Sequence, residues 1–426
     1  MQQGCFVKIA YIASSYSPFL NGVSFAVHRR VRWLLQRGHR VHLFRPNADE
    51  QFPQEVHQRA MPGLAELQAF PDFSDFAYPS RPHPFSKTYP VPRSHRHWRI
   101  DEHLEAFKPD IVVLEDLPSL IGYSSPFGGG YRRYIASNYA RRVGIPTLAL
   151  AETDWLSYAA TYFGRATVAL LRPLLRPVFR RMSSAYDLQL FPSDELLERN
   201  TGFGVVNARK LHFHGVLTDE YRPENVQFDP IPNDPRPTLL FIGRLVPEKS
   251  VLDLMAAFAH IHESLPEAHL VIIGSGPLES VLRKRAHVFG SAVTFPGEAY
   301  GDTLKGWYAR ADLFLNPSTS ETFCTTNLEA LASGTPVIAA AGGGHFDQIQ
   351  SGHNGFLVRP HDPRDMAQQA LSLLTDPERL AKFRQQARES VLSLDWHRCC
   401  ERFESVMLQL IEEKRGDHPI RTRADQ

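Results

Sequence analysis

The sequence predicts an α/β protein made of two Rossmann-like, doubly wound domains that face a central cleft. Short apolar runs alternate with amphipathic stretches of helical length, which is the pattern of parallel sheets with helical connections. The alternation stops in a proline-rich stretch near the middle of the chain and then begins again. The chain has 426 residues, more than one ordinary hydrophobic core accommodates, so two domains are expected.

The first domain is predicted to cover residues 1–217. A helix over residues 23–37 is expected to end at Gly38, because glycine commonly follows the last helical turn. Ser193 is expected to cap the helix after the last strand. Proline, aromatic and histidine residues replace the alternation between about 51 and 100, so we expect an irregular insertion there. The predicted strands are residues 7–13, 41–44, 111–114, 146–151 and 188–191.

Four prolines between residues 218 and 236 predict a linker, and the alternation resumes over residues 237–395, the second domain. A helix over 396–415 is expected to pack back on the first domain, ahead of a polar tail at 416–426. Sheets of this kind bind ligands beyond the carboxyl ends of their strands, so the cleft is the expected binding site. The predicted strands here are residues 238–242, 269–273, 293–295, 312–316, 336–340 and 356–358.

The composition excludes several classes of protein. Hydrophobic residues make up 43% and charged residues 22% of the chain, which excludes a mainly disordered or fibrous protein. The net charge of +1 gives no sign of nucleic-acid binding, and the four cysteines form neither a disulfide framework nor a zinc-binding spacing. Because no apolar run reaches the ~18–20 residues of a membrane span, we expect a cytoplasmic protein, at most peripheral on the cytoplasmic face of a membrane.

Two segments carry the chemistry. In the first, Phe-Ile-Gly-Arg-Leu-Val-Pro-Glu-Lys at 241–249, Arg244 and Lys249 flank a turn between a strand and a helix. Two cations beside a helix N-terminus predict a clamp for a diphosphate, although this segment alone is also compatible with a solvated loop. In the second, Glu321 and Glu329 are eight positions apart around a helix start and can reach hydroxyl groups at two places on a ligand, although helix capping explains the same residues.

The two segments together resemble the family 4 glycosyltransferases, which are retaining enzymes with the GT-B fold. The resemblance covers nearly the whole chain and includes Ser-Pro-Phe-Leu-Asn-Gly-Val at 17–23, Phe-Lys-Pro-Asp-Ile-Val at 107–112 and Gly-His-Asn-Gly-Phe-Leu-Val at 352–358. It is strongest to the branch that makes glycolipids, such as sulfoquinovosyl- and mannosyl-diacylglycerol synthases. It implies transfer of a hexose from a UDP- or GDP-linked sugar to a hydroxyl acceptor.

The resemblance also implies roles for single residues. Arg244 and Lys249 should hold the donor diphosphate and stabilise the charge that develops as it leaves. Glu329 should bind the ribose hydroxyls of the nucleotide, and Glu321 should bind hydroxyls of the donor sugar. The remaining donor contacts are expected from backbone amides near the helix start, at Phe323, Cys324 and Thr325, and from Gly22, where the backbone should approach the phosphates.

Two further expectations concern the reaction centre. No Asp-x-Asp motif occurs, so we expect no cofactor and no metal ion in catalysis. Glu152 stands where relatives often have a histidine that contacts the donor sugar. The carboxylate there is compatible with accepting a hydrogen bond from the sugar, with attracting a cationic donor group, or with lost activity. His345 is expected to be a surface or capping residue rather than a base.

Basic regions in the first domain favour a lipid acceptor. Residues 76–100 and 164–182 contain several arginines and no acidic residue. In the second region Val168, Leu171, Leu175, Val178 and Met182 recur at helical spacing, which indicates either contact with an anionic membrane surface or packing against the core. The resemblance to the enzymes that make glycolipids implies a glycolipid or lipid headgroup as the favoured acceptor. Soluble and polysaccharide acceptors, and a non-catalytic protein that binds sugar nucleotides, are the alternatives.

Overall fold

The computed structural model describes residues 6–16, 19, 22–47, 63–83, 86–92, 99–115, 135–152, 154, 164–319 and 321–417. Within them an eight-stranded and a six-stranded sheet are each covered by helices, which confirms the predicted architecture of two Rossmann-like units. Residues 17, 18, 20 and 21 of the loop after the first strand, 20 of the 50 residues of the predicted insertion, and residues 418–426 of the polar tail lie outside the described residues.

The first sheet contains β1 (Lys8–Ile12), β2 (Arg40–Asn47), β3 (Phe73–His83), β4 (Ser86–Pro92), β5 (Ile111–Glu115), β6 (Thr147–Leu150), β7 (Leu188–Phe191) and β8 (Ala208–Lys210). Their order is β4-β3-β2-β1-β5-β6-β7-β8. Neighbouring strands are parallel except β3 and β4. The fully buried β5 and β6 show why the sequence patterns there are continuous apolar runs, since both faces of a parallel sheet are covered.

The helices of this part of the chain are α1 (Gly22–Gln36), α2 (Gly63–Gln68), α3 (Ile100–Phe107), α4 (Ile135–Val143), α5 (Arg165–Ser183) and α6 (Asp194–Gly202). Helix α1 ends as predicted, two residues before Gly38, whose φ of 89° is readily adopted only by glycine. The predicted cap of α6 is confirmed, because Ser193 Oγ accepts a hydrogen bond from Leu196 N. None of the described helices is long and apolar enough to cross a bilayer.

The prediction of an irregular insertion at residues 51–100 was wrong for most of its described residues. Residues 63–83 and 86–92 contain α2 and the strands β3 and β4 instead. The start of β3 pairs in parallel with β2 through Pro79, and its end pairs with the edge strand β4. The prolines concealed these strands from sequence reasoning, since proline is tolerated only where a ladder hydrogen bond is not needed, as at a sheet edge.

The second sheet contains β9 (Thr238–Ile242), β10 (His269–Ile273), β11 (Val293–Gly297), β12 (Leu313–Asn316), β13 (Val337–Ala340) and β14 (Gly355–Val358), in the order β11-β10-β9-β12-β13-β14. All its pairings are parallel. Its helices are α7 (Val251–Ser264), α8 (Glu279–Ala286), α9 (Gly301–Arg310), α10 (Thr325–Ala332), α11 (His345–Gln348), α12 (Pro363–Leu374) and α13 (Pro377–Val391). Every predicted strand of this half is present within one or two residues.

The last helix, α14 (Trp396–Asp417), packs against the first sheet. The chain returns beside the linker, where Val216 N donates to Leu394 O and Trp396 N donates to Val216 O. Polar contacts then hold the helix to the first domain. In one of them, Glu404 Oε1 of the helix lies 2.7 Å from His39 Nε2. Five of its side chains are buried in the same core as β1, namely Trp396, Cys400, Phe403, Met407 and Ile411.

Candidate active site

The second sheet reverses its strand order between β9 and β12. These strands are neighbours although β10 and β11 separate them in the sequence. The loop after β9 contains Arg244 and Lys249, and the loop after β12 contains Glu321. Both segments singled out by the sequence therefore lie at the switch point, beyond the carboxyl ends of the strands, where open α/β sheets bind ligands.

Lys249 and Glu321 form an ion pair across this switch point. Lys249 ends the 3₁₀ turn Pro247–Lys249, and its Nζ lies 2.5 Å from Glu321 Oε1. Burial opposes both charges, but each group stabilises the other, so the pKa of Glu321 is lowered and the pKa of Lys249 is raised. Arg244 lies near Lys249 with 58% of its side chain exposed and with Nη2 3.5 Å from Glu248 Oε1. Its guanidinium is therefore only loosely held.

Helix α10 begins directly after the second segment. Phe323 and Cys324 are buried just before it, and Thr325 is its exposed first residue. Glu329 lies in its second turn, where Tyr308 Oη donates a 2.8 Å hydrogen bond to Oε2 and burial raises the pKa of the carboxyl group. A carboxylate offers about four acceptor positions, so Glu329 can still accept hydrogen bonds from ligand hydroxyls.

Glu152 follows β6 and joins the two domains through its backbone. Its carbonyl oxygen accepts a 2.9 Å hydrogen bond from Thr322 Oγ1. Thr322 belongs to the segment between β12 and α10, which is called the donor-side segment below because the sequence predicts that it binds the sugar donor. Its carboxylate lies between two groups of the protein itself, with Oε2 2.5 Å from His214 Nε2 and Oε1 3.7 Å from Arg30 Nη1. The side chain that replaces the family histidine is thus held inside the first domain by an imidazole and a guanidinium.

His214 is a candidate site residue that the sequence analysis did not single out. Burial, together with Arg30, lowers the pKa of His214 to about 3, so the ring is neutral at physiological pH and Nε2 donates to Glu152. The ring stacks on Phe323 with 5.7 Å between the ring centroids. An imidazole therefore contacts the donor-side segment from position 214 instead of position 152. The sequence feature that could have identified it is its position directly before the Gly-Val pair that precedes the linker.

A buried ion network below Glu152 was also missed. Arg30 and Glu115 are both fully buried, with 2.6 Å between Nη1 and Oε1. Tyr11 Oη donates to the Glu115 carboxylate, and Arg30 Nη2 donates to the carbonyl oxygen of Phe213 at 3.1 Å. One guanidinium is thus shared by the carboxyl groups of Glu115 and Glu152. Burial, opposed by Arg30 and assisted by Glu152, raises the pKa of Glu115 to about 8.

The raised pKa of Glu115 predicts a loss of stability as pH rises. The carboxyl group titrates near its ordinary value of 4.5 in the unfolded chain but at about 8 in the fold, so between these values the folded state binds more protons. The stabilising contribution is complete below the lower value and is lost as pH rises through the upper one. We expect Glu115→Gln, which mimics the protonated group, to flatten this dependence in urea unfolding across the same window.

The exposed residue Glu102 provides the matched control for this prediction. Its side chain is 64% exposed and pairs with Arg99 on the surface. Glu102→Gln is expected to change the free energy of unfolding by less than about 1 kcal/mol at every pH. Parallel pH profiles for wild type and Glu115→Gln would show that Glu115 titrates normally in the fold.

His345 is buried, and the expectation of a surface or capping residue was wrong. Its Nδ1 lies 2.7 Å from the carbonyl oxygen of Ala340, and the residue has no exposed surface. The preceding glycines bring its loop against the donor-side segment, where Gly344 N donates to Glu321 O at 2.7 Å. At Gly343, with a φ of 58°, a β-carbon would lie 2.0 Å from the same oxygen. The backbone that leads into His345 therefore packs directly against the backbone of Glu321.

Contacts between the two domains flank these residues. Lys210 pairs with Asp347 across the cleft, and the backbone amide of Gly343 donates to Glu195 Oε2 at 2.6 Å. Gly22 is the first residue of α1, and a β-carbon added there would meet no atom within 4 Å. The approach of donor phosphates to its backbone stays a prediction, since residues 20 and 21, directly before it, lie outside the described residues.

Comparisons with known proteins identify the family. Residues 223–390 match the family described as "Glycosyl transferases group 1". A GDP-mannose-dependent alpha-mannosyltransferase of Mycolicibacterium smegmatis is 30% identical over 402 residues, which cover 93% of this chain and 95% of that protein. A GDP-mannose-dependent alpha-(1-6)-phosphatidylinositol monomannoside mannosyltransferase of Mycobacterium tuberculosis is 32% identical over 263 residues, covering 58% of this chain and 67% of that protein.

Solved structures agree on the fold. A sucrose-phosphate synthase from Thermosynechococcus elongatus superimposes with a TM-score of 0.71 and covers 96% of this chain and 100% of its own, at 19% identity. At that identity the likeness shows the fold, which is the GT-B arrangement of two Rossmann-like domains. The family match, the full-length similarity and the fold together lead to one conclusion: the chain belongs to the group 1 glycosyl transferases, the family 4 enzymes that use nucleotide-sugar donors.

Proposed function

We propose that the protein is a retaining hexosyltransferase that moves a hexose from a nucleotide-diphosphate sugar to a hydroxyl group of a lipid. The observation that carries this proposal is the Lys249–Glu321 pair at the switch point of the second sheet, with Arg244 in the same loop as Lys249 and Glu329 on the helix that follows Glu321. These groups are complementary to the three parts of such a donor, namely its diphosphate, its sugar and its ribose.

The reaction needs a leaving diphosphate and an acceptor hydroxyl on the same face of the sugar. Arg244 and Lys249 bind the diphosphate, and their positive charge stabilises it as the bond to the sugar breaks. The acceptor oxygen bonds to the same carbon, and its proton passes to the departing phosphate oxygen, so the configuration is retained without a protein nucleophile. Because side-chain cations carry the charge stabilisation, turnover should need no metal ion.

The relatives favour GDP-mannose as the donor and a lipid as the acceptor. The full-length relative is named for GDP-mannose, and the second relative is named for a mannosylated phosphatidylinositol. UDP-linked sugars stay the alternative donors, because the resemblance implies either a UDP- or a GDP-linked sugar. The acceptor would enter from the first domain, next to Glu152 and Thr322.

Thermal unfolding with nucleotides tests the donor part of this proposal. A ligand that binds only the folded state raises the midpoint of unfolding, so GDP should raise it more than UDP or ADP, with or without EDTA. Transfer of labelled mannose from GDP-mannose to phosphatidylinositol or diacylglycerol-based lipids should then be detectable. Binding of a nucleotide with no transfer to lipid, soluble or polysaccharide acceptors would favour a non-catalytic protein that binds sugar nucleotides.

Helix α5 supports a membrane surface as a further partner. Val168, Leu175, Val178 and Met182 of the predicted stripe are half-buried, but Leu171 is 40% exposed, so the stripe fits the core alternative only in part. Leu170 and Leu174, one turn apart, are instead 79% and 71% exposed. Exposed arginines lie on the same helix, at 172, 176, 180 and 181, and no acidic residue occurs between 164 and 182. Exposed leucines among arginines suit the headgroup region of an anionic bilayer.

We expect Leu170→Ser combined with Leu174→Ser to weaken binding to vesicles of phosphatidylcholine and phosphatidylglycerol by about tenfold or more, since burying one leucine contributes roughly 1.5–3 kcal/mol. Co-sedimentation at a fixed lipid concentration measures the change. The matched control is Val288→Ser, which removes a side chain that is 80% exposed on the second domain. Equal sedimentation of all three proteins would show that α5 does not contact the membrane.

A further inference from the structure

Three side chains with metal-binding atoms meet beside the Lys249–Glu321 pair. Glu321, Cys324 and His345 each offer one ligand atom, and these atoms all lie within 4.8 Å of one another. Carboxylate, thiolate and imidazole are the ligands that Zn²⁺ prefers in proteins. Glu321 and Cys324 lie in the loop before α10, and His345 is the first residue of α11, so the close packing of the loops before these two helices brings the three together.

His345 is prepared for such a role. Nδ1 lies 2.7 Å from the carbonyl oxygen of Ala340, and therefore carries the ring proton. Nε2 is then an acceptor, and it is buried with no hydrogen-bond partner among the described residues. Imidazoles that bind metal ions commonly donate their other N–H to a carbonyl or carboxylate in this way.

Cys324 is the soft ligand of the group. Its Sγ lies 3.1 Å from both Asn316 Nδ2 and Thr326 Oγ1, so the sulfur is held at a fixed position in the site. A divalent cation would bind the thiolate, and the thiol proton would pass to solvent, with no change of oxidation state. The protein would then supply three ligands, and solvent would supply the fourth, as in other open zinc sites.

We propose that Glu321, Cys324 and His345 bind a thiophilic divalent cation such as Zn²⁺, and that this cation competes with the sugar donor. A bound cation would therefore inhibit sugar transfer, and the proposal does not make a metal ion part of catalysis. The competition rests on the proposed function, in which Glu321 binds the donor sugar. A cation on the Glu321 carboxylate would occupy the atoms that the sugar hydroxyls need, and would repel Lys249 from its partner.

Titration of the EDTA-treated full-length protein with Co²⁺ tests the site directly. Tetrahedral cobalt bound to a thiolate gives a near-ultraviolet charge-transfer band and visible d–d bands. We expect these bands to saturate near one equivalent of Co²⁺. Cys324→Ser should lose the charge-transfer band, and His345→Asn should weaken binding at least tenfold. Cys399→Ala, which removes a buried thiol of α14, should keep the bands.

Circular dichroism establishes that each variant is folded before titration. Absence of the charge-transfer band in the folded wild type, or its persistence in Cys324→Ser, would overturn the metal site. GDP-mannose should shift the cobalt titration to higher concentration. If GDP raises the midpoint of thermal unfolding but GDP-mannose does not shift the cobalt titration, the competition would be overturned while the metal site stays in place. A GDP-induced shift of the midpoint without any band would leave the transferase assignment standing and remove the metal site.

Discussion

Lys249→Met is expected to lower kcat/KM for sugar transfer by about 10²–10³-fold, the loss that follows removal of one preorganised group that stabilises transition-state charge. Methionine keeps most of the side-chain volume and removes the ammonium group. Without that group the departing diphosphate has only Arg244, whose side chain is 58% exposed and loosely held. Initial rates with GDP-mannose and a lipid acceptor at varied donor concentration measure the loss.

This substitution also leaves Glu321 buried without its cation, so a loss of stability must be separated from a loss of chemistry. The double variant Lys249→Met with Glu321→Gln removes both charges of the pair. It should recover the midpoint of thermal unfolding, because an isolated buried charge is the main destabilising term. It should not recover transfer, since the diphosphate still lacks the ammonium group.

Lys284→Met provides the control at an exposed position of α8, and it should keep wild-type rates. Recovery of transfer in the double variant would mean that the single variant fails through the unpaired Glu321 carboxylate, and that neither the Lys249 ammonium group nor the Glu321 charge is needed for transfer. Wild-type rates in the single variant would remove Lys249 from the donor site altogether.

The donor site was largely predictable because its information is local. Arg244, Lys249, Glu321 and Glu329 each follow a strand or open a helix, and the apolar runs locate those strands within a residue or two. Parallel topology then brings the ends of β9 and β12 to one edge without any further information. The roles of these residues stay predictions, but their placement at one edge follows from pattern and topology alone.

The buried network was not predictable, because its members are far apart in the sequence. Arg30 lies at a helix position where the apolar period expects a hydrophobic residue, and Glu115 ends an apolar strand. Each looks like a boundary residue until the fold brings both to Glu152 and His214. For the same reason, the carboxylate at 152 was weighed against donor contacts and not against an imidazole 62 positions later.

Arg30→Met is expected to destabilise the protein by about 3–5 kcal/mol, as when one partner of a buried ion pair is removed. The guanidinium is fully buried and serves Glu115, Glu152 and the carbonyl oxygen of Phe213. Its carbon Cζ also lies 5.4–6.0 Å from the ring centroids of Phe213, Trp396 and Phe403. Two of these rings belong to α14, so Arg30 also holds the returning helix to the first domain. Urea unfolding measures the change.

Arg32→Met is the matched control on the same helix, because its side chain is 48% exposed and pairs with Glu66 on the surface. It should change the free energy of unfolding by less than about 1 kcal/mol. Above pH 8, where the Glu115 carboxyl group is charged in the fold, adding Glu115→Gln to Arg30→Met should recover part of the loss, since one of the two carboxyl groups left without a cation is then neutral. Equal effects of Arg30→Met and Arg32→Met would contradict the network. A large loss that Glu115→Gln does not reduce above pH 8 would place the energy in the aromatic and carbonyl contacts of Arg30.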